Sequence, residues 1–180
     1  MFPAFKEWHA IVEALGHGEQ ILVLRKGGIS EGRGGFDAAR AGRFWLFPTQ
    51  FHAQADKTKP HAARFFGPAT SSDTVVLSYF ADIVHHTFLT DWPDVAALDS
   101  HHLWNEAAVR EKFDWSQPPG VHAFVVRVHR LATPLILSLT ADMGGCKSWI
   151  EVPADFSAQG SAPVLDDESF QARKALIGLR

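Results

Sequence analysis

The pattern of apolar segments predicts an α+β single domain, built as a curved mixed β-sheet or open barrel with flanking helices. Three observations carry this. The segments run helix, strands, helices, strands, helix, and few of them offer the short strand–helix alternation of a doubly wound sheet. The chain is 180 residues long, which suits one domain with a real core. Its content, 46% hydrophobic and 21% charged, is that of an ordinary globular protein.

Trp8, Ile11, Val12 and Leu15 fall at the spacing of one buried helical face, which predicts a helix over 6–15. Gly16 and Gly18 stop it. Gln20–Arg25 has four successive apolar residues and reads as a central strand. Gly27–Gly42 holds six glycines and reads as a loop. Arg43–Phe47 is a strand closed by Pro48. Residues 52–72 are polar and read as a surface excursion with a short helix near Ala62–Phe66.

Thr74–Thr90 is β-rich and predicts one long strand or a strand pair. Asp91 and Pro93 suit the start of a helix over 92–98. A second helix is expected over His102–Phe113, then a linker with two prolines. In Val121–Leu131, Phe124, Val126 and Val128 alternate with Val125, Arg127 and His129, so one face is wholly apolar. Pro134 is expected to break this strand before another at Leu135–Leu139. Ser148–Val152 is a short strand, and Asp167–Leu179 a helix whose acidic first turn suits its dipole. The whole of 1–180 reads as one globular domain.

No apolar run approaches the roughly 20 residues that span a bilayer. The N-terminus lacks the basic stretch and apolar core of a secretory leader. One cysteine excludes an internal disulfide, and together these features favour the cytoplasm. A net charge of −3 gives no global field for nucleic acid. The charge is uneven, however: residues 25–64 carry +5 and residues 82–114 carry −5. The basic stretch is either a solvated face or a surface that meets an anionic ligand.

Chemistry concentrates at Arg25-Lys26-Gly27-Gly28, where an apolar run delivers two cations to a glycine pair. If the strand ends there, both cations and the exposed N–H groups of Gly27 and Gly28 suit an anion. The glycines follow Lys26, so this is not a Walker A loop. With Arg43 and His52 these residues form the expected ligand-binding set. Cys146, in a glycine turn beside Lys147, and His52 are the candidate catalytic pair. A lone cysteine before a short strand is usually a small core side chain, so Cys146 is expected to be structural. Histidines come as the adjacent pairs His85-His86 and His101-His102, whose side chains diverge, so no metal site and no cofactor is expected. No Asp followed by Glu-x-Lys on strands supports nuclease chemistry. The six tryptophans suit burial, whereas Phe51, Phe65 and Phe66 lie in the basic region, where they either anchor a long loop, the favoured reading, or stack on bases as exposed rings.

Five ordered blocks resemble a bacterial family known as domain of unknown function 1802. They are Lys6-Glu7-Trp8 with Glu13-Ala14-Leu15; Leu24-Arg25-Lys26-Gly27-Gly28-Ile29; Phe44–Thr49 with His52; Arg127–Leu131 with Pro134; and Gly145–Glu151. The resemblance spans residues 6 to about 152. It departs at Gln50-Phe51-His52, where relatives look more like Tyr-Glu-His, so His52 lacks an acidic neighbour. The resemblance implies no activity. The residues favour a binding module for an anionic ligand, a nucleotide or nucleic acid, gripped by the basic glycine-rich turn. The alternatives are an enzyme acting on a phosphorylated or nucleotide substrate, and a protein-interaction scaffold.

Overall fold

The computed structural model describes residues 1–26, 42–50, 54–67, 73–115, 117–145, 147–156 and 160–179. It is an α+β domain built on one curved, mixed, seven-stranded sheet with flanking helices. The strands are β1 (Phe2–Trp8), β2 (Leu22–Lys26), β3 (Arg43–Thr49), β4 (Thr74–Leu89), β5 (Val121–Ser138), β6 (Trp149–Val152) and β7 (Ser161–Pro163). Their order is β2-β5-β4-β3-β1-β6, and β7 pairs with β5 beyond the end of β2. The β1–β3 pair is parallel and the others are antiparallel. The helices are α1 (His9–Gly16), α2 (Gln54–Lys57), α3 (Trp92–Ala96), α4 (Glu106–Phe113) and α5 (Asp167–Ile177).

The first helix starts three residues later than its apolar spacing predicts, because Lys6, Glu7 and Trp8 belong to β1. The strand wins there because both of its faces are covered. Ala4 packs with Trp45, Phe80 and Val152 on one face of the sheet, while Phe5 packs with Phe44 and Leu46 on the other. Helical periodicity holds from His9 onward, burying Ile11, Val12 and Leu15.

Neither proline ends its strand. Pro48 lies inside β3, at a level where β4 no longer pairs, so its missing N–H interrupts no ladder on that side. Pro134 lies inside β5, which is continuous over 18 residues. Register against β4 jumps from Leu135↔Leu77 to Arg130↔Tyr79, so the proline occupies an irregularity and bends the strand. A second irregularity between Ile83 and His85 adds to the curl.

Helix α4 starts at Glu106 rather than His102 because Asn105 caps it: its Oδ1 accepts the Ala108 N–H at 2.9 Å. The preceding residues are stitched to two other segments. Leu103 donates its N–H to Gln20 Oε1 at 3.0 Å, and Trp104 bridges to Thr58. Buried Gln54 accepts the Ala10 N–H through Oε1 at 3.1 Å, tying α2 to α1. These buried amides hold the 54–65 excursion against α1 and α4, where it covers the core through Ala62 and Phe65.

Strand β5 lies between β2 and β4, with Phe124, Val126 and Val128 all buried. Val126 is fully enclosed. Val126→Asp would bury a charge without a counter-ion. It is expected to abolish soluble folding, read as loss of a cooperative thermal transition. A soluble, cooperatively melting variant would contradict this placement.

Candidate anion-binding cleft

Strand β2 runs through Lys26, so Arg25 and Lys26 point to opposite sides of the sheet. Arg25 is only 7% exposed and lies 5.2 Å from the centre of the Phe5 ring. Lys26 instead lines an open cleft of about 540 Å³, together with Trp8, Lys57, Ala108, Glu111, Lys112, Asp114 and Trp115. The Lys26 ammonium sits 3.5 Å from the centre of the Trp115 ring.

Charged groups adjoin this cleft. Glu7, from β1, is 6% exposed, and its Oε1 accepts the Trp8 N–H at 2.8 Å. Lys112 comes from α4, one turn beyond buried Ala108 and therefore on the inward side. Its ammonium lies 4.7 Å from the Trp104 ring centre and 5.5 Å from that of Trp8. Burial pushes the Glu7 carboxyl up, against the attraction of Lys112, the Trp8 N–H and Arg25. Burial pushes the Lys112 amine down; Glu7 opposes this, whereas Lys26 and Arg25 add to it. Behind Lys112, the Trp104 Nε1 is buried with no hydrogen-bond partner among the described residues. The neighbouring His102 ring is held neutral by burial and by Lys59, its pKa lowered to about 4.

Of the residues expected from sequence, Lys26 borders this cleft and Arg25 lies beneath it, in the field of Glu7. Arg43 stands elsewhere. It is five residues before Pro48, the position level with Glu7, or about 17 Å of strand. Its guanidinium donates two bonds to Asp82, at 2.7 and 2.9 Å, and covers Phe80. Gly27, Gly28, His52 and Cys146 lie outside the described residues. Glu7 and Lys112 are not among the residues expected from the sequence. The available signals were Glu7 within the Lys6-Glu7-Trp8 block and the four-residue step from Ala108 to Lys112.

The opposite charges of 25–64 and 82–114 meet in the fold. Arg43 pairs with Asp82, Lys57 with Glu111 and Lys59 with Asp99. Phe65 is buried under Arg64 and beside His17, as the anchor of its segment, while Phe66 is partly exposed. His86 and His122 stack with their ring nitrogens 2.9 Å apart, and burial with the charges of His86 and Arg25 lowers the His122 pKa to about 4. Among the described residues, no three His, Cys, Asp or Glu side chains are grouped to hold a metal ion. No described helix is long and apolar enough to cross a membrane.

The fold and its cleft define an α+β protein with a curled mixed sheet. The chain belongs to the family described as domain of unknown function (DUF1802), whose model matches residues 4–176. No curated relative matches it. Among solved structures, it is similar to the ASCH protein of Zymomonas mobilis, at 13% identity over 97% of this chain and 94% of that one, with a TM-score of 0.45. Crystal structures of two mutants of that protein give TM-scores of 0.46 and 0.43.

Removing one member of a buried charge cluster leaves its partners uncompensated. Glu7→Gln is expected to cost about 3–5 kcal/mol in chemical denaturation, because it leaves buried Arg25 and part-buried Lys112 without the charge that attracts them. Adding Lys112→Met to Glu7→Gln should restore part of that loss. A loss below about 1 kcal/mol from Glu7→Gln would show that the two groups do not share an interior environment.

Proposed function

We propose that this protein is a binding module for a small anionic ligand of the nucleotide type, seated in the Trp8–Lys26–Lys112–Trp115 cleft. One observation carries the reading: the indoles of Trp8 and Trp115 and the three lysines Lys26, Lys57 and Lys112 line a single cleft, against the two carboxylates of Glu111 and Asp114. Trp115 is 62% exposed, with the Lys26 ammonium over one face of its ring. A flat base has an aromatic face to stack on, and a phosphate has cations to meet. The volume is in the range of small-molecule sites, roughly 300–1,000 Å³. The same pairing of ring and cation serves a nucleotide within a single strand.

Titration of tryptophan fluorescence with adenosine monophosphate, and with a short single-stranded RNA, tests this. Both should quench, and Lys26→Ala should weaken binding about tenfold while leaving the melting temperature unchanged. A single phosphate contact gives a shallow dependence on salt, whereas a tracked polynucleotide gives a steep one. The slopes therefore separate nucleotide from strand. The reading fails if neither ligand changes the fluorescence, or if Lys26→Ala binds as well as the parent.

A further inference from the structure

We propose that a second cleft, at the other end of α1 from Trp8, binds a compact organic monocarboxylate: an apolar body ending in one carboxylate, which Arg130 grips. This cleft shares no lining residue with the nucleotide cleft. Its volume is about 680 Å³, within the rough range of 300–1,000 Å³ for small-molecule sites. Strand register explains its shape. Arg130 lies opposite Ala162 in the β5–β7 pair, and one step further Ala132 donates its N–H to the Gly160 carbonyl at 2.8 Å. Directly opposed residues, and residues two apart on a strand, share a face of the sheet. Arg130, Ala132, Ala162 and Gly160 therefore share one face, and the three small residues leave a hollow beside the arginine. His17 and Val164 also line it. The hollow is apolar along its floor and cationic at one end.

The arginine is held in place. Its Nη2 donates to the Gly16 carbonyl at 2.6 Å, at the C-terminal end of α1, and its guanidinium lies 5.6 Å from the centre of the Tyr79 ring. Gly16 permits this approach, since a Cβ there would fall 2.2 Å from Tyr79 Cζ. His17 follows, with its Nδ1 2.8 Å from the Glu13 carbonyl oxygen and its ring against Phe65. A guanidinium offers five N–H donors in a planar fork. The Gly16 carbonyl and the Tyr79 hydroxyl take part of that capacity. Arg43, Arg64, Arg110 and Arg127 each reach a carboxylate, whereas Arg130 reaches none among the described residues. Glu13 sets the charge of the ligand. Its Oε2 lies 3.3 Å from the Tyr79 hydroxyl and 3.7 Å from His17 Nδ1, so a negative charge stands behind the hollow. It repels a dianion more than a monoanion. The fork of an arginine also matches a planar carboxylate through two parallel bonds.

The probe is p-fluorobenzoate, followed by fluorine NMR line broadening on the intact chain. Two analogues separate shape from charge: p-fluorobenzamide is neutral, and p-fluorophenyl phosphate carries a dianionic head. The benzoate is expected to bind at least about tenfold more tightly than either. Arg130→Gln should weaken it by about tenfold or more. Because Arg130 also holds Gly16, Ala162→Leu is the second variant. It fills the hollow from an exposed strand position and leaves the arginine in place. It should abolish binding and leave the melting temperature unchanged. Saturating adenosine monophosphate should not displace the benzoate, so failure of the nucleotide reading leaves this site standing. The proposal is overturned if the benzoate does not broaden at millimolar concentration, if the benzamide binds as well, or if either variant binds like the parent. Tighter binding of the phosphate ester overturns the assignment to a monocarboxylate.

Discussion

A carboxylate on one strand and a guanidinium on another share the interior at one end of the sheet, within the field of a part-buried ammonium on a helix. Glu7 and Arg25 are almost completely buried, and the Lys112 ammonium lies among indole rings. Withdrawing such groups from water costs several kcal/mol each, and only their mutual attraction and hydrogen bonds offset it. The arrangement therefore constrains the rest of the fold. The ends of β1, β2 and α4 have to meet, and each element that joins them has to hold its place.

The curvature of the sheet makes that meeting geometrically feasible. β1 and β2 are four steps apart in the strand order, so a flat sheet would keep Glu7 and Arg25 well separated. The long antiparallel β4–β5 pair bends at its two irregularities and carries β2 round toward β1. Helix α4 is fixed from the other side by Asn105, Gln20 and the Thr58–Trp104 bridge. Both faces of β1 and β3 are packed, with Trp45 and Phe80 on one and Phe44 and Leu46 on the other. Little freedom is left for the charged groups to part.

Much of the architecture is legible in the chain. Apolar alternation marks β5, the β-branched run marks β4, and the acidic first turn marks the last helix. The boundaries that fail are those decided by distant partners. Lys6–Trp8 fits a helical pattern locally, but β3 offers it a parallel edge. Pro134 reads as a stop, but β4 accommodates it at a register jump. The candidate site is less legible. The sequence points to the basic stretch that contains Lys26, yet alternation along β2 sends Arg25 inward and leaves only its neighbour facing the cleft. Arg43 and Lys57 look like parts of a basic surface until acids from 82–114 reach them. Lys112 lies within an acidic stretch, where composition hides it. Only the pitch of α4 and the position of β1 turn Lys112 and Glu7 toward one another.

The central claim is that Lys112, in the field of buried Glu7 and Arg25, lines a cleft that binds an anionic nucleotide. The most direct measurement is an NMR titration of the lysine side chains, carried out with and without adenosine monophosphate. In the free protein the Lys112 resonance should titrate below the range of the other lysines, and bound phosphate should move its midpoint back up by favouring the charged form. A Lys112 that titrates with the exposed lysines, and whose midpoint the nucleotide leaves unmoved, would contradict the account.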